Sequence, residues 1–203
     1  MSKIHYVVGI DEAGRGPLAG PVSVAAVAFP EDLYKKRHHI LGGIRDSKKL
    51  TEKGRERWFA LLLREAKQGR IKIASSMVSH TVIDRCGISK ATALGVARSL
   101  TKLALLPRLS RVLLDGSLSA PLEWTNQETI IRGDDKVAII SAASVVAKVR
   151  RDRRIVRLSV KYPEYGFAIH KGYGTRAHYR ALKKHGLSPL HRKSFCKKIF
   201  NVV

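Results

Sequence analysis

What most constrains the fold of this chain is an alternation of short β-branched runs with longer stretches of helical period. Ile4 to Ile10 reads as a strand that runs into the glycine loop Ala13-Gly14-Arg15-Gly16-Pro17, and Pro21 opens a buried strand from Val22 to Phe29. Ile71 to Val78, Arg111 to Leu114 and Thr129 to Arg132 read as three more strands. Between them, Thr51 is the expected N-cap of a helix whose apolar stripe (Trp58, Leu61, Leu62, Ala66) stops at Gly69. Lys90 to Leu106 is helical by composition and is ended by Pro107. Val137 to about Val160 is a long helix, and Thr175 to Lys184 is a shorter one closed by Gly186. Interspersed strands and helices predict an α/β protein with several strands in one sheet. With no linker of low complexity and no repeat of about 20–50 residues, residues 1–203 are expected to form one domain.

Charge narrows the class of partner. The chain carries 39 Lys and Arg against 16 Asp and Glu, a net +23. From Ala147 to Val203 there are sixteen Lys and Arg against only Asp152 and Glu164. Such an excess in a small folded protein is the footprint of a polyanion, nucleic acid before all others, with an anionic membrane surface as the competing partner. No apolar run approaches the roughly 18 residues of a membrane span, and Met1-Ser2-Lys3-Ile4-His5 lacks the apolar stretch of a signal peptide. Cys86 and Cys196 make neither a disulfide framework nor a CxxC metal knuckle, which suits a reducing cytoplasm.

In so basic a chain the positions of the acids are informative. Asp11-Glu12 follows the first strand, Asp115 a later one, and Asp134 is expected at the end of another. Carboxylates at three strand ends collect at one rim of a sheet, where open α/β folds place their sites. Packed together they repel unless a divalent cation lies between them. Oxygen ligands without a His or Cys cluster suit Mg²⁺ or Mn²⁺. With a basic surface around them, the acids point to metal-assisted phosphodiester chemistry. Beside them, Gly14-Arg15-Gly16 removes side-chain bulk on both sides of an arginine, so the backbone can approach a ligand closely.

The segment from Gly9 to Val22 (GIDEAGRGPLAGPV) resembles the signature of the type 2 ribonucleases H, specifically ribonuclease HII. The resemblance continues through Asp46-Ser47-Lys48-Lys49-Leu50, Leu114-Asp115-Gly116, Gly133-Asp134, the stretch Ser141 to Asp152, His170-Lys171-Gly172-Tyr173-Gly174 and His191-Arg192-Lys193-Ser194-Phe195. It departs from the family at Gly87, where an asparagine is usual, and at Val96, where a methionine is common.

The resemblance implies an RNase H-like fold: a mixed central sheet flanked by helices, with residues 160–203 a basic helical extension packed on the catalytic domain. It implies an endonuclease that cuts the RNA strand of RNA–DNA hybrids and nicks duplex DNA on the 5′ side of single ribonucleotides, leaving 3′-hydroxyl and 5′-phosphate ends. Asp11, Glu12, Asp115 and Asp134 would be catalytic, holding two Mg²⁺ or Mn²⁺ ions about 4 Å apart. Asp135 is adjacent to the fourth acid, and Asp152 is near it in the motif. Gly14, Arg15 and Gly16 would meet the 2′-hydroxyl, and Tyr173 would pack on the neighbouring sugar. Ser47, Lys48, Lys49, Ser141, Ser144 and Lys148 are expected to contact phosphates.

On the long helix Ser141, Ser144, Lys148 and Asp152 share one face, so Lys148 and Asp152 are also placed to form an i,i+4 ion pair. The expected partners are RNA–DNA hybrid and ribonucleotide-containing duplex, with no membrane, and the chain is expected to act as a monomer. Ribonuclease HIII, with its extra N-terminal domain, is the related alternative; the first strand beginning near Ile4 argues for HII. A non-catalytic RNA- or DNA-binding module is the alternative of another kind, and acids grouped on a phosphate-binding face speak against it.

Overall fold

The computed structural model describes residues 5–44 and 50–200, the side chains of residues 198 and 200 excepted. Two antiparallel strands, β1 (Tyr6–Ala13) and β2 (Val22–Pro30), are followed by the short helices α1 (Glu31–Lys35) and α2 (His38–Leu41) and by α3 (Glu52–Lys67). Then come β3 (Lys72–Val78), α4 (His80–Cys86), α5 (Ile88–Leu103), β4 (Ser110–Asp115) and β5 (Gln127–Ile130). The chain ends in α6 (Gly133–Lys136), α7 (Ala138–Ser159), α8 (Phe167–His170), α9 (Arg176–His185) and α10 (Lys193–Phe200).

The strands form one mixed sheet in the order β3-β2-β1-β4-β5. β1, β2 and β3 pair antiparallel, whereas β1–β4 and β4–β5 are parallel. β1 and β2 are buried on both faces, which is why their sequences read as continuous apolar runs and do not alternate. Val7, Val27 and Phe29 point to the face covered by α7 and α3; Val8, Ile10 and Val24 point to the face covered by α5 and Trp124. Beyond α7, Tyr165, Phe167, Leu182 and Cys196 form a third apolar cluster with Leu18, Ala19 and Ile155, so the C-terminal helices rest on the loop that follows β1.

Local chemistry sets the helix ends. Thr51 caps α3 by accepting from Gly54 N at 3.1 Å, and Thr175 caps α9 by accepting from His178 N at 3.2 Å. The helix expected to run to Leu106 stops earlier. Ala104 turns left-handed at φ 50°, and Pro107 begins a separate 3₁₀ turn. Ser47, Lys48 and Lys49 lie outside the described residues. Among the described residues no helix is long and apolar enough to cross a membrane.

Candidate active site

The pairing of β1 with β4 brings Asp11 and Asp115 to the same end of adjacent parallel strands. Asp134 arrives differently from the expectation. β5 ends at Ile130, Arg132 turns left-handed at φ 57°, and Asp134 lies in the first turn of α6, not on a strand. One Asp115 oxygen fixes this junction by accepting from Gly133 N at 2.7 Å and Asp134 N at 3.2 Å. As a result, carboxylate oxygens of Asp11, Asp115 and Asp134 lie within 4.8 Å of one another. Asp135 points elsewhere and pairs with Arg132 at 3.0 Å.

Glu12 is not one of that group of three. One of its oxygens is 3.7 Å from the Arg15 guanidinium, and the other, Oε2, is buried without a partner. Burial, followed by the charge of Glu12, pushes the Asp11 carboxyl well above its ordinary range, and burial also raises Glu12. An orphaned buried oxygen and mutually destabilised carboxylates fit a divalent cation. A hard cation accepts oxygen ligands and supplies positive charge between the grouped carboxylates.

A cleft of about 260 Å³ is lined by Asp11, Glu12 and Asp115, by the loop 13–16, and by Ser144, Lys148 and Tyr173. Ser144 hydrogen-bonds the Asp11 carboxylate and so orients a ligand-bearing side chain. Lys148 Nζ is 3.0 Å from Asp152 and 5.4 Å from the centre of the Tyr173 ring. The expected i,i+4 pair is therefore formed, with its lysine at the cleft wall. Ser141 is turned inward and donates to the Asp134 carbonyl, so the helix face shared with Ser144 does not make it a phosphate contact. A larger cavity of about 490 Å³ lies beside α3 and α7, where Arg153 and Glu56 pair at 3.1 Å.

Two arginines absent from the expected site shape the glycine loop. Arg192, fully buried, donates to the carbonyls of Gly14 (2.6 Å), Arg15 (2.7 Å) and Gly20 (3.0 Å). Arg151, also fully buried, donates to Pro21, Ala19 and Lys171. In a trans peptide the N–H points opposite to the C=O. With the Gly14 and Arg15 carbonyls drawn towards Arg192, the amides of Arg15 and Gly16 are turned away from it. Neither amide has a backbone partner among the described residues. Nothing in the sequence separates these arginines from the cations beside them, Arg150 and Arg153 around Arg151 and Lys193 next to Arg192, and their partners are backbone atoms that no side-chain pattern reports.

The sheet order, the helices on both faces and the rim of buried acids define a protein of the ribonuclease H-like class. The family model for ribonuclease HII matches residues 8–198. Ribonuclease HII of Coxiella burnetii is 44% identical over 189 residues, covering 93% of this chain and 87% of that protein. The Caldicellulosiruptor bescii protein is 45% identical over 198 residues, covering 98% and 90%. Ribonuclease H2 from Pyrococcus horikoshii superposes with a TM-score of 0.72 at 27% identity, covering 97% of each chain. Bst-RNase HIII, solved in complex with Mn²⁺, shares the fold with a TM-score of 0.72 at 20% identity, over 98% of this chain and 70% of that one. The chain belongs to the ribonuclease HII family. Its activity is that of a ribonuclease H, endonucleolytic cleavage of RNA in RNA–DNA hybrids, and the family uses divalent metal ions.

Proposed function

We propose that this enzyme also incises duplex DNA on the 5′ side of single embedded ribonucleotides, using Asp11, Glu12, Asp115 and Asp134 to hold two Mg²⁺ or Mn²⁺ ions. The observation that carries this reading is the grouping of Asp11, Asp115 and Asp134 oxygens within 4.8 Å, beside a glycine loop whose free amides border the same cleft. The Mn²⁺ bound by Bst-RNase HIII, which shares the fold, is compatible with it. When bound, the divalent ions supply Lewis acidity and charge neutralisation at the scissile phosphate.

The chain's own residues do the rest. Asp11, Asp115 and Asp134 bind the ions, and Ser144 keeps Asp11 oriented. Glu12 contributes its orphaned oxygen, and Lys148 orients a neighbouring phosphate. The amides of Arg15 and Gly16 receive the 2′-hydroxyl, the group by which a single ribonucleotide differs from its DNA surroundings. Tyr173 packs on the adjacent sugar. Water adds its oxygen to phosphorus as the bond to the 3′-oxygen breaks, which leaves a 3′-hydroxyl and a 5′-phosphate. Ser47 and Lys48, next to Lys49, complete the phosphate contacts. Residues 1–203 act as one catalytic unit and as a monomer, with 160–203 the basic extension that braces the glycine loop. The unpaired thiols of Cys86 and Cys196 suit the cytoplasm.

A labelled duplex with one ribonucleotide, incubated with Mg²⁺, Mn²⁺ or EDTA, tests this proposal. A single nick 5′ of the ribonucleotide, abolished by EDTA, is expected. Cleavage only of continuous RNA strands would refute the single-ribonucleotide activity.

A further inference from the structure

Arg15 has a second side. Its guanidinium lies between Glu12 (3.7 Å) and the Thr92 hydroxyl (3.5 Å), and past Thr92 opens another pocket of about 160 Å³. We propose that this pocket seats a backbone phosphate of the cleaved strand, one or two nucleotides from the cut. The proposal rests on the reading of the cleft given above and adds to it a separate anchoring point.

The lining carries the argument. Besides Arg15, the polar groups are the hydroxyls of Ser89, Thr92, Ser117 and Ser119, with no carboxylate among them. Thr92 donates its proton to the Ser89 carbonyl at 2.8 Å, which leaves its oxygen to accept from Arg15 and hold the guanidinium at the pocket. Among the described residues the hydroxyls of Ser89, Ser117 and Ser119 have no protein partner, and all three residues are exposed.

The serine loop is held in place from beneath. Leu118 N donates to the Asp115 carbonyl at 3.1 Å, Thr129 donates to the Leu118 carbonyl at 2.8 Å, and the Leu118 side chain is buried. Ser117 and Ser119 therefore flank a fixed apolar anchor. A guanidinium and three free hydroxyls, with no acceptor charge, make a site for an anion of tetrahedral oxygens. Its position selects which anion. The Arg15 guanidinium that lines it is also 3.7 Å from Glu12, and successive phosphates of one strand step by about 3.4 Å along the helix axis. A strand laid across the acidic rim brings a flanking phosphate here.

The test combines a triple variant, S89A/S117A/S119A, with duplexes in which one uncharged methylphosphonate linkage is moved position by position around a single ribonucleotide. All three serines are exposed, so the variant keeps the fold. For the unaltered protein, one position flanking the cut should raise KM about tenfold, the loss of one or two hydrogen bonds to a charged group. The triple variant should show a similar rise on the all-phosphate duplex with kcat unchanged, and the neutral linkage at that position should add nothing further. A variant that binds like the unaltered protein, or that stays sensitive to the neutral linkage at every position, overturns the proposal. Failure of the unaltered protein to nick the duplex at all would instead refute the proposed function. Anisotropy titration of the same duplexes still reads the pocket in that case.

Discussion

Gly14 and Gly16 flank the same arginine, yet the fold holds only Gly14 to glycine. Gly14 has φ +95°, and a Cβ there would sit 1.9 Å from Arg151 Nε, so the fold itself excludes a side chain. At Gly16 a Cβ would meet nothing within 4 Å, and its φ is not among the positive values. Gly16→Ala should therefore fold at least as well as the unaltered protein. Alanine at a compatible position stabilises by about 0.4–1 kcal/mol through the unfolded chain. For a domain of this size that raises Tm by roughly 1–4 °C.

The added methyl group should nevertheless stand where the ribose has to approach. A misplacement of about 1 Å at a reacting centre costs on the order of 100-fold in rate, or about 2.7 kcal/mol at 1.36 kcal/mol per decade. The assay pairs a thermal melt with kcat/KM on a single-ribonucleotide duplex. Gly16→Ala should hold or gain in Tm and lose about 100-fold in kcat/KM, whereas Gly14→Ala should lose stability first. A Gly16→Ala protein that cleaves at the unaltered rate would refute the close approach of this loop to substrate. One that melts much earlier would show that the space at Gly16 is not open.

Other outcomes follow from the same geometry. Asp11→Asn should abolish turnover and remove the stabilisation by added Mg²⁺ while raising the melting temperature of the metal-free protein, since burial and Glu12 already disfavour the Asp11 charge; melts with and without Mg²⁺ check this. Arg192→Ala leaves three carbonyls without their donor, at about 1–3 kcal/mol for each buried group, and chemical denaturation should show a loss of several kcal/mol that Arg192→Lys only partly recovers. Burial, aided by His178, holds His191 at about 4. The unfolded chain then binds the proton more readily than the folded one, so stability is full above about pH 6.5 and falls towards pH 4 by up to about 1.4 kcal/mol per pH unit. A denaturation midpoint that stays constant from pH 7 to 4.5 would contradict this. Tyr173→Ala should lose far more activity on a single-ribonucleotide duplex than on a continuous RNA strand, and equal losses on both would reduce Tyr173 to packing.

The legible and the illegible parts of the site differ in what holds them. Asp11 and Asp115 follow β-branched runs, a local property of sequence; Asp115 ends β4, whereas Asp11, expected after the first strand, lies inside β1, which stays paired to β2 as far as Ala13. Asp134 sits close to its expected place, but on a helical turn. The left-handed Arg132 that redirects the chain leaves no trace in a pattern of apolar residues. The helix ending at Ala104 was hidden in the same way, because its stop is a backbone conformation and not the proline three residues on. Arg151 and Arg192 lie further out of reach, since their acceptors are backbone carbonyls as far as 132 and 178 positions away along the chain. Both arginines count towards the net +23 that pointed to a polyanion. Yet each is fully buried, and burial works against the charged form of both. Composition sums charge without regard to where it lies. Part of what reads as a nucleic-acid footprint is internal scaffolding, cations spent on the backbone carbonyls of the glycine loop and the segment after it.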